Sequence, residues 1–189
     1  MRILFVCTAN VCRSPMAEAI LSGMLTNAET LEGAAVVRSA GLLPSGNPMD
    51  PEAMAALPEY GKDMSEHLSH RVEVDDLRYA DLVLGMTREH VRELVVLVPQ
   101  AWGHTFTLKE LVRRGEDRGA RLPAQSLSDW LADVAKDRKR QDLLGSSPQD
   151  DVNDPIGGTT ARFEQTAREL ADLCGRVVRL LGLSPGSPV

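Results

Sequence analysis

The first fifteen residues, MRILFVCTANVCRSP, constrain the fold more than any other stretch of the chain. The apolar run from Ile3 to Val6 is typical of a strand that is buried on both faces, as in a parallel sheet. From Pro15 the apolar residues recur with a helical period, and Ser14 stands where an N-cap residue belongs. Residues 7–14 are therefore predicted to form the loop between the end of a strand and the start of a helix.

Apolar segments alternate with helical patterns along much of the chain. Strands are predicted at 35–38, 81–85 and 104–107, and helices at 51–59, at 88–97 and from 108 onward. Such alternation implies right-handed crossovers between parallel strands. We predict an α/β fold in which a four-stranded parallel sheet is flanked by helices on both faces. The loop at 7–14 then lies beyond the carboxyl ends of the strands, where ligands bind in such sheets.

The chain of 189 residues is long enough for one domain with a substantial core and short for two. We predict a single domain over 1–183, with a charged, partly helical insertion at about 115–150 and a disordered tail at 184–189. The insertion contains an amphipathic helix pattern and a charged run, formed by Leu127, Trp130, Leu131 and Val134 and by Lys136 to Arg140. A solvated helical insertion is favoured over a partner-binding surface, because basic runs are usually solvated.

Charge and cysteine usage limit the possible partners and compartment. A formal net charge of −6 argues against nucleic acid as the main partner. No stretch approaches the ~20 apolar residues that span a bilayer, and no signal-peptide pattern is present, so no membrane partner is predicted. The cysteines are Cys7, Cys12 and Cys174, and an odd number with two in one loop is not a secreted disulfide framework. We expect a reduced, cytoplasmic protein.

The loop combines a thiol with groups that bind an anion. The five residues between Cys7 and Arg13 can turn their backbone N–H groups toward one centre, which suits a tetrahedral anion at a helix N-terminus. Arg13 offers a planar pair of hydrogen bonds to two phosphate oxygens. A cysteine at a helix N-terminus beside a cation ionises more readily than a free thiol, and the Ser14 hydroxyl could also donate to it. The pattern indicates in-line phosphoryl transfer to Cys7. The predicted phosphate-binding residues are Thr8, Ala9, Asn10, Val11, Cys12, Arg13 and Ser14.

The segment VCTANVCRSPMAE at 6–18 resembles the signature loop of the low-molecular-weight protein tyrosine phosphatases, which has a Cys, five residues and Arg-Ser. The other half of that family's site is an Asp-Pro pair late in the chain, and Asp154-Pro155 stands within VNDPIGG. Segments 38–41 and 80–86 resemble family segments in the expected order. The resemblance covers most of 1–114 and 150–181. It is to the bacterial type, with features of the arginine-phosphatase branch.

This resemblance implies a phosphatase that uses neither a metal nor another cofactor and forms a cysteinyl-phosphate. Cys7 would be the nucleophile and Arg13 the phosphate clamp. Asp154 would protonate the leaving oxygen and later activate the water that cleaves the intermediate. The four histidines show no ligand spacing with the cysteines, which agrees with a metal-independent reaction.

The resemblance also implies supporting roles. Asn10 tolerates a left-handed backbone, and in the family the matching Asn is held by a Ser and a His, which correspond to Ser39 and His67. Cys12 has two interpretations, a small loop residue packed inward or a redox partner that forms a reversible disulfide with Cys7. Ala9 stands where many relatives have Gly, which bears on the loop backbone rather than on the chemistry. The remaining histidines, His70, His90 and His104, are interpreted as surface or satisfied residues, and Cys174 as a core residue.

Two features bear on the substrate, and they disagree. At the position of Val11, relatives with an aliphatic residue act on phosphotyrosine and relatives with threonine on phosphoarginine. After the Asp-Pro pair, the tyrosine-directed members often have aromatic residues, whereas Ile156-Gly157-Gly158 follow here, as in the arginine-phosphatase branch. We favour phosphotyrosine in a protein or peptide as the substrate, because Val11 meets the group that distinguishes the two. Protein phosphoarginine is the alternative, and inorganic phosphate is the expected product or inhibitor.

Two other functions are less well supported by the sequence. Arsenate reduction on this scaffold needs further cysteines, usually in the middle of the chain, and there is none between residues 13 and 174. A non-catalytic phosphate-binding module would have no need of both Cys7 and Asp154. The joint presence of these two residues favours an enzyme.

Overall fold

A parallel sheet forms the centre of the protein. The computed structural model describes residues 1–25, 35–59 and 61–183, so the predicted tail at 184–189 lies outside the described residues. The strands are β1 (Arg2–Cys7), β2 (Val36–Gly41), β3 (Leu82–Gly85) and β4 (Thr105–Thr107), in the order β2-β1-β3-β4. All three neighbouring pairs are parallel. The predicted α/β class and four-stranded parallel sheet are confirmed.

Seven α-helices are described, four of them in the connections between strands and three after β4. These are α1 (Arg13–Leu25), α2 (Pro51–Ala55), α3 (Val74–Tyr79), α4 (Arg88–Leu97), α5 (Leu108–Arg118), α6 (Leu127–Ala135) and α7 (Thr160–Leu180). The helix predicted at 51–59 ends at Ala55, because Pro58 lacks an N–H group and disfavours a helical backbone at Leu57. The short helix α3 was not predicted, and β2 extends three residues beyond the predicted strand.

Strand β1 is buried on both faces, as its continuous apolar run predicts. Ile3 and Phe5 belong to the larger core, to which α1, α5, α6 and α7 contribute. Leu4 and Val6 point to the opposite face and pack with residues of α3 and α4. Helices therefore cover both faces of the sheet, and the last residue of β1, Cys7, emerges from its middle at the carboxyl edge.

The segment at 115–150 contributes to the core. Its predicted helix is confirmed as α6, but the expectation that the segment is solvated is wrong for this helix. Trp130, Leu131 and Val134 are at most 2% exposed and join the larger core, because the apolar side of α6 packs beside α5. The indole Nε1 of Trp130 also donates to the carbonyl of Gly119 at 3.0 Å.

The expectation that the charged run is solvated is also wrong for Arg138, since its side chain is only 1% exposed. The guanidinium carbon lies 3.9 Å from the ring centroid of Trp102 and 4.0 Å from that of Phe106. Its Nε donates to a carboxylate oxygen of Glu110 at 2.7 Å. A planar cation can be buried where aromatic rings cover its faces and acceptors meet its edge.

Candidate active site

The loop of residues 8–12 joins β1 to α1 and surrounds the Cys7 sulfur, which belongs to a buried residue. The backbone N–H of Asn10 donates to this sulfur at 3.3 Å, and Ser14 Oγ lies 3.0 Å from it. The prediction that Ser14 caps the helix is wrong, because α1 already begins at Arg13. The Ser14 hydroxyl lies next to the thiol and donates to the Ala40 carbonyl at 3.2 Å.

Asn10 is the centre of a buried hydrogen-bond network that fixes the loop. Its φ is 55°, in the left-handed region that asparagine tolerates better than most residues. Its Nδ2 donates to Ser14 Oγ at 3.0 Å and to Ser39 Oγ at 2.8 Å. Its carbonyl oxygen lies 2.8 Å from His67 Nε2, and its Oδ1 accepts from the backbone N–H of His70 at 2.8 Å. The structure thus brings Asn10, Ser39 and His67 together. The contact of His70 was missed, because a backbone donor leaves no mark in the sequence.

Gly41, at the end of β2, lets the loop lie directly against the sheet. A Cβ atom at this position would lie 2.9 Å from the carbonyl carbon of Ala9 and 2.9 Å from the nitrogen of Asn10. Both are backbone atoms, so neither can rotate away. The leucines that follow are bonded to the loop as well, since the N–H groups of Leu42 and Leu43 donate to the Thr8 carbonyl at 2.8 and 3.0 Å.

Arg13 and Asp154 meet although 141 positions separate them in the chain. Arg13 Nη2 donates to Asp154 Oδ2 at 2.6 Å and to Thr8 Oγ1 at 3.3 Å, while Nη1 donates to the Val152 carbonyl at 3.3 Å. The Arg13 side chain is 6% exposed and that of Asp154 is 41% exposed. A buried guanidinium therefore faces a partly open carboxylate beside the cysteine loop.

The segment that carries Asp154 is held in place by the ion pairs of Asp150. This residue is buried, and its two oxygens pair with Arg88 at 2.7 Å and with Arg113 at 2.9 Å. Burial opposes ionisation, but the hydrogen bonds and charges of Arg113 and Arg88 outweigh it and hold the pKa of Asp150 below its ordinary value. The Val152 N–H donates to the Met86 carbonyl at 2.8 Å, which ties the segment to the loop after β3.

The two cysteines of the loop have different surroundings. Burial, together with the charges of Asp50 and Asp154, raises the pKa of Cys12 to about 12, so this thiol stays protonated at neutral pH. Cys7, in contrast, has the Asn10 N–H and the Ser14 hydroxyl at its sulfur. The two thiols of the loop therefore have different hydrogen-bond partners. Cys174 lies in α7 and is fully buried, which confirms it as a core residue.

His90, the third residue of α4, is buried against the start of the loop. Its Nε2 lies 3.0 Å from Thr8 Oγ1, and its Nδ1 accepts from the Thr87 N–H at 3.0 Å. Burial, followed by the charge of Arg13, lowers the pKa of His90 to about 3, so the ring is neutral at physiological pH. His90 is satisfied, as predicted, but its place beside the site was not predicted.

Three aliphatic residues belong to the segments that carry the site. Val11 is half-buried, and Leu43 and Ile156 are 49% and 54% exposed. The Leu43 N–H donates to the Thr8 carbonyl, and the Ile156 N–H donates to Asp154 Oδ1 at 3.2 Å. In the described part of the chain no group of three His, Cys, Asp or Glu residues is arranged to hold a metal ion. Across 1–25, 35–59 and 61–183, no helix is both long and apolar enough to cross a bilayer.

A model of the family described as low molecular weight phosphotyrosine protein phosphatase matches residues 2–127. The chain belongs to this family. A probable low molecular weight protein-tyrosine-phosphatase, EpsP of Ralstonia solanacearum, is 35% identical over 71% of this chain and 88% of its own. A protein-arginine-phosphatase of Bacillus subtilis is 32% identical over 96% of this chain and 97% of its own.

A solved structure supports the same assignment. The low molecular weight protein tyrosine phosphatase from T. tengcongensis superimposes with a TM-score of 0.69 and 33% sequence identity, covering 94% of this chain and 97% of that one. Members of this family are cysteine-dependent hydrolases of phosphoric monoesters, and this chain is one of them. The expected family and enzyme class are confirmed.

Proposed function

We propose that the protein is a metal-independent protein-tyrosine phosphatase that acts through a cysteinyl-phosphate on Cys7. The observation that carries this proposal is the contact of Arg13 with Asp154 beside the loop whose Asn10 N–H donates to the Cys7 sulfur. Family membership supports the cysteine chemistry, and the assignment of each role to a residue is the proposal.

In the first step the Cys7 thiolate attacks phosphorus, so that an S–P bond forms as the bond to the leaving oxygen breaks. Arg13 and the loop N–H groups balance the charge on the three equatorial oxygens. Asp154 donates its proton to the leaving oxygen, because an unprotonated phenoxide leaves poorly. Its partial exposure gives it access to an oxygen outside the loop, whereas the buried Arg13 remains within it.

In the second step water cleaves the cysteinyl-phosphate. Asp154, now a carboxylate, takes a proton from the water, and the oxygen of that water becomes the fourth oxygen of inorganic phosphate. The Cys7 thiolate is the leaving group, and the Ser14 hydroxyl, 3.0 Å away, turns its hydrogen from the Ala40 carbonyl to the sulfur and stabilises it. Asn10, with Ser39 and His67, holds the loop in place through both steps.

Phosphotyrosine is favoured by the aliphatic residues that neighbour the site residues in the chain. Val11, Leu43 and Ile156 are aliphatic and present no acceptor to a guanidinium. A phenol ring buries apolar area against such side chains. Phosphoarginine is the second candidate, because the arginine phosphatase of B. subtilis matches 96% of this chain and because Ile156-Gly157-Gly158 follow the Asp-Pro pair.

A direct comparison of substrates tests the proposal. Phosphotyrosine and phosphoarginine peptides of one sequence are assayed in EDTA, with Cys7→Ser as the blank. A higher kcat/KM for phosphotyrosine and no turnover by Cys7→Ser are expected. Turnover by Cys7→Ser at the rate of the unchanged protein would refute the mechanism, and loss of activity in EDTA would refute metal independence. A preference for phosphoarginine would replace the tyrosine assignment with the second candidate.

The substitution Val11→Thr gives a matched test of specificity, because the two side chains have nearly the same shape. The added hydroxyl is expected to raise the ratio of phosphoarginine to phosphotyrosine kcat/KM. An unchanged ratio would show that the residues after Asp154 determine the substrate instead.

We also propose that Cys12 is a redox partner in a cytoplasmic enzyme, in line with the use of unpaired cysteines. Peroxide would oxidise Cys7 to a sulfenic acid, and Cys12 would displace water from it to form a disulfide. After peroxide treatment, dithiothreitol is expected to restore the activity of the unchanged protein. In Cys12→Ser it should restore much less activity. Equal recovery in both proteins would refute this role.

A further inference from the structure

The contact of His90 with Thr8 is not used by the mechanism above. His90 is 2% exposed and belongs to α4, whereas Thr8 is the first residue of the phosphate-binding loop and is exposed. A polar contact joins α4 to the loop here, between His90 Nε2 and Thr8 Oγ1 at 3.0 Å. A buried polar side chain therefore reaches a hydroxyl that also contacts Arg13.

The hydrogen bonds of the imidazole define its tautomer. A backbone N–H can only donate, so the Thr87 N–H makes Nδ1 of His90 an acceptor. The neutral ring then carries its hydrogen on Nε2 and donates it to Thr8 Oγ1. Burial and the charge of Arg13 lower the pKa of His90 to about 3, which keeps this arrangement intact across the neutral range.

Thr8 Oγ1 thus accepts from two sides, from His90 Nε2 and from Arg13 Nη2 at 3.3 Å. Two donors occupy both acceptor positions of a hydroxyl and remove its freedom to rotate. Without His90 the Thr8 hydroxyl could turn and present its hydrogen to the guanidinium. Arg13 would then lose one of the acceptors that orient its Nη2 group.

We propose that His90 is a positioning residue, which holds the Thr8 hydroxyl as an acceptor for Arg13 and so fixes the guanidinium for phosphate binding. This inference rests on the proposed function, in which Arg13 clamps the phosphoryl group. It assigns to α4 a part in the site that neither the loop nor the Asp-Pro pair supplies.

Two substitutions distinguish the roles of the two ring nitrogens of His90. In His90→Asn the side-chain amide reaches only to about the place of Nδ1, so it can accept from Thr87 but cannot donate to Thr8. In His90→Gln the amide reaches to about the place of Nε2 and can still donate to Thr8. We expect kcat/KM to fall about tenfold in His90→Asn, the effect of one lost hydrogen bond, and to stay within about threefold of the unchanged value in His90→Gln.

A double-mutant cycle with Thr8→Val tests whether His90 acts through Thr8. Valine keeps the shape of threonine and removes the hydroxyl, so adding His90→Asn to it should lower kcat/KM by less than about twofold. An equal loss in both backgrounds, or an equal loss in His90→Asn and His90→Gln, would overturn the inference. So would a Thr8→Val variant with unchanged activity.

Binding of inorganic phosphate, measured by calorimetry in the Cys7→Ser background, gives a readout that needs no turnover. His90→Asn should raise the Kd severalfold and His90→Gln should not, and an unchanged Kd in His90→Asn would overturn the inference. If Cys7→Ser were fully active, the proposed function would fail, yet this titration would still report on His90. Thermal melts of each variant verify that the folded protein is compared.

Discussion

The low pKa of His90 makes a prediction about stability below neutral pH. In the unfolded chain the histidine titrates near 6.5, whereas in the folded protein burial and Arg13 lower its pKa to about 3. Between these two values the unfolded state binds a proton that the folded state does not. Stability therefore falls as the pH drops from 6.5 toward 3, and it rises again as the pH returns.

The size of the effect follows from the gap between the two titrations. Each pH unit within the window changes the free energy of unfolding by about 1.4 kcal/mol for one proton. From pH 7 to pH 5, a histidine that ionises only when unfolded should therefore lower the free energy of unfolding by about 2 kcal/mol. Other groups also titrate in this range, so the prediction concerns the difference between two proteins.

Urea unfolding at pH 7 and pH 5, followed by far-UV circular dichroism, measures this difference. The unchanged protein should lose about 2 kcal/mol more than His90→Gln, whose amide does not titrate. Losses that agree within about 0.5 kcal/mol would refute the reasoning, because they would mean that His90 is protonated in the folded state as readily as in the unfolded one.

Three further predictions follow from close packing and from the acid role. Gly41→Ala should lower kcat/KM more than tenfold, because the new Cβ would lie 2.9 Å from backbone atoms of the loop. The control Gly103→Ala, with open space at that position, should not lower it, and equal activity of the two variants would contradict this prediction. Trp130→Ala should cost about 3–5 kcal/mol in urea unfolding, and a loss as small as that of the exposed Leu122→Ala would mean that α6 is not part of the core. Asp154→Asn should slow the hydrolysis of aryl phosphates with poor leaving groups more than that of good ones, and equal slowing of both would remove its role as the acid.

The loop that carries Cys7 and Arg13 was predictable because the residues that define it lie close together in the chain. The apolar run of β1, the loop and the helical period after Pro15 lie within about twenty residues, so the sequence places Cys7 and Arg13 without knowledge of the rest of the fold. Asp154 was predictable only through the resemblance to a family, since an Asp-Pro pair on its own is an ordinary turn signal.

The remaining features depend on contacts between distant segments. The amphipathic pattern of α6 shows that it has an apolar side but not that α5 covers it, and Arg138 looks like its solvated neighbours until Trp102 and Phe106 enclose it. The donor from His70 to Asn10 is a backbone group, common to every residue except proline. Ser14 was misplaced because α1 starts two residues earlier than predicted, which puts Ser14 inside the helix and next to the thiol.

The anchoring of the segment that carries Asp154, the proposed acid, has a consequence for the timing of catalysis. Asp150 pairs with Arg88 of α4 and with Arg113 of α5, and the Val152 N–H donates to the carbonyl of Met86, directly after β3. The backbone leading to Asp154 is therefore ordered when the chain folds. The conformational entropy of placing the proposed acid is then lost once, during folding, and not again at each turnover. We expect the rate of this enzyme to be limited by bond breaking or phosphate release, with no step in which a lid must close over the substrate.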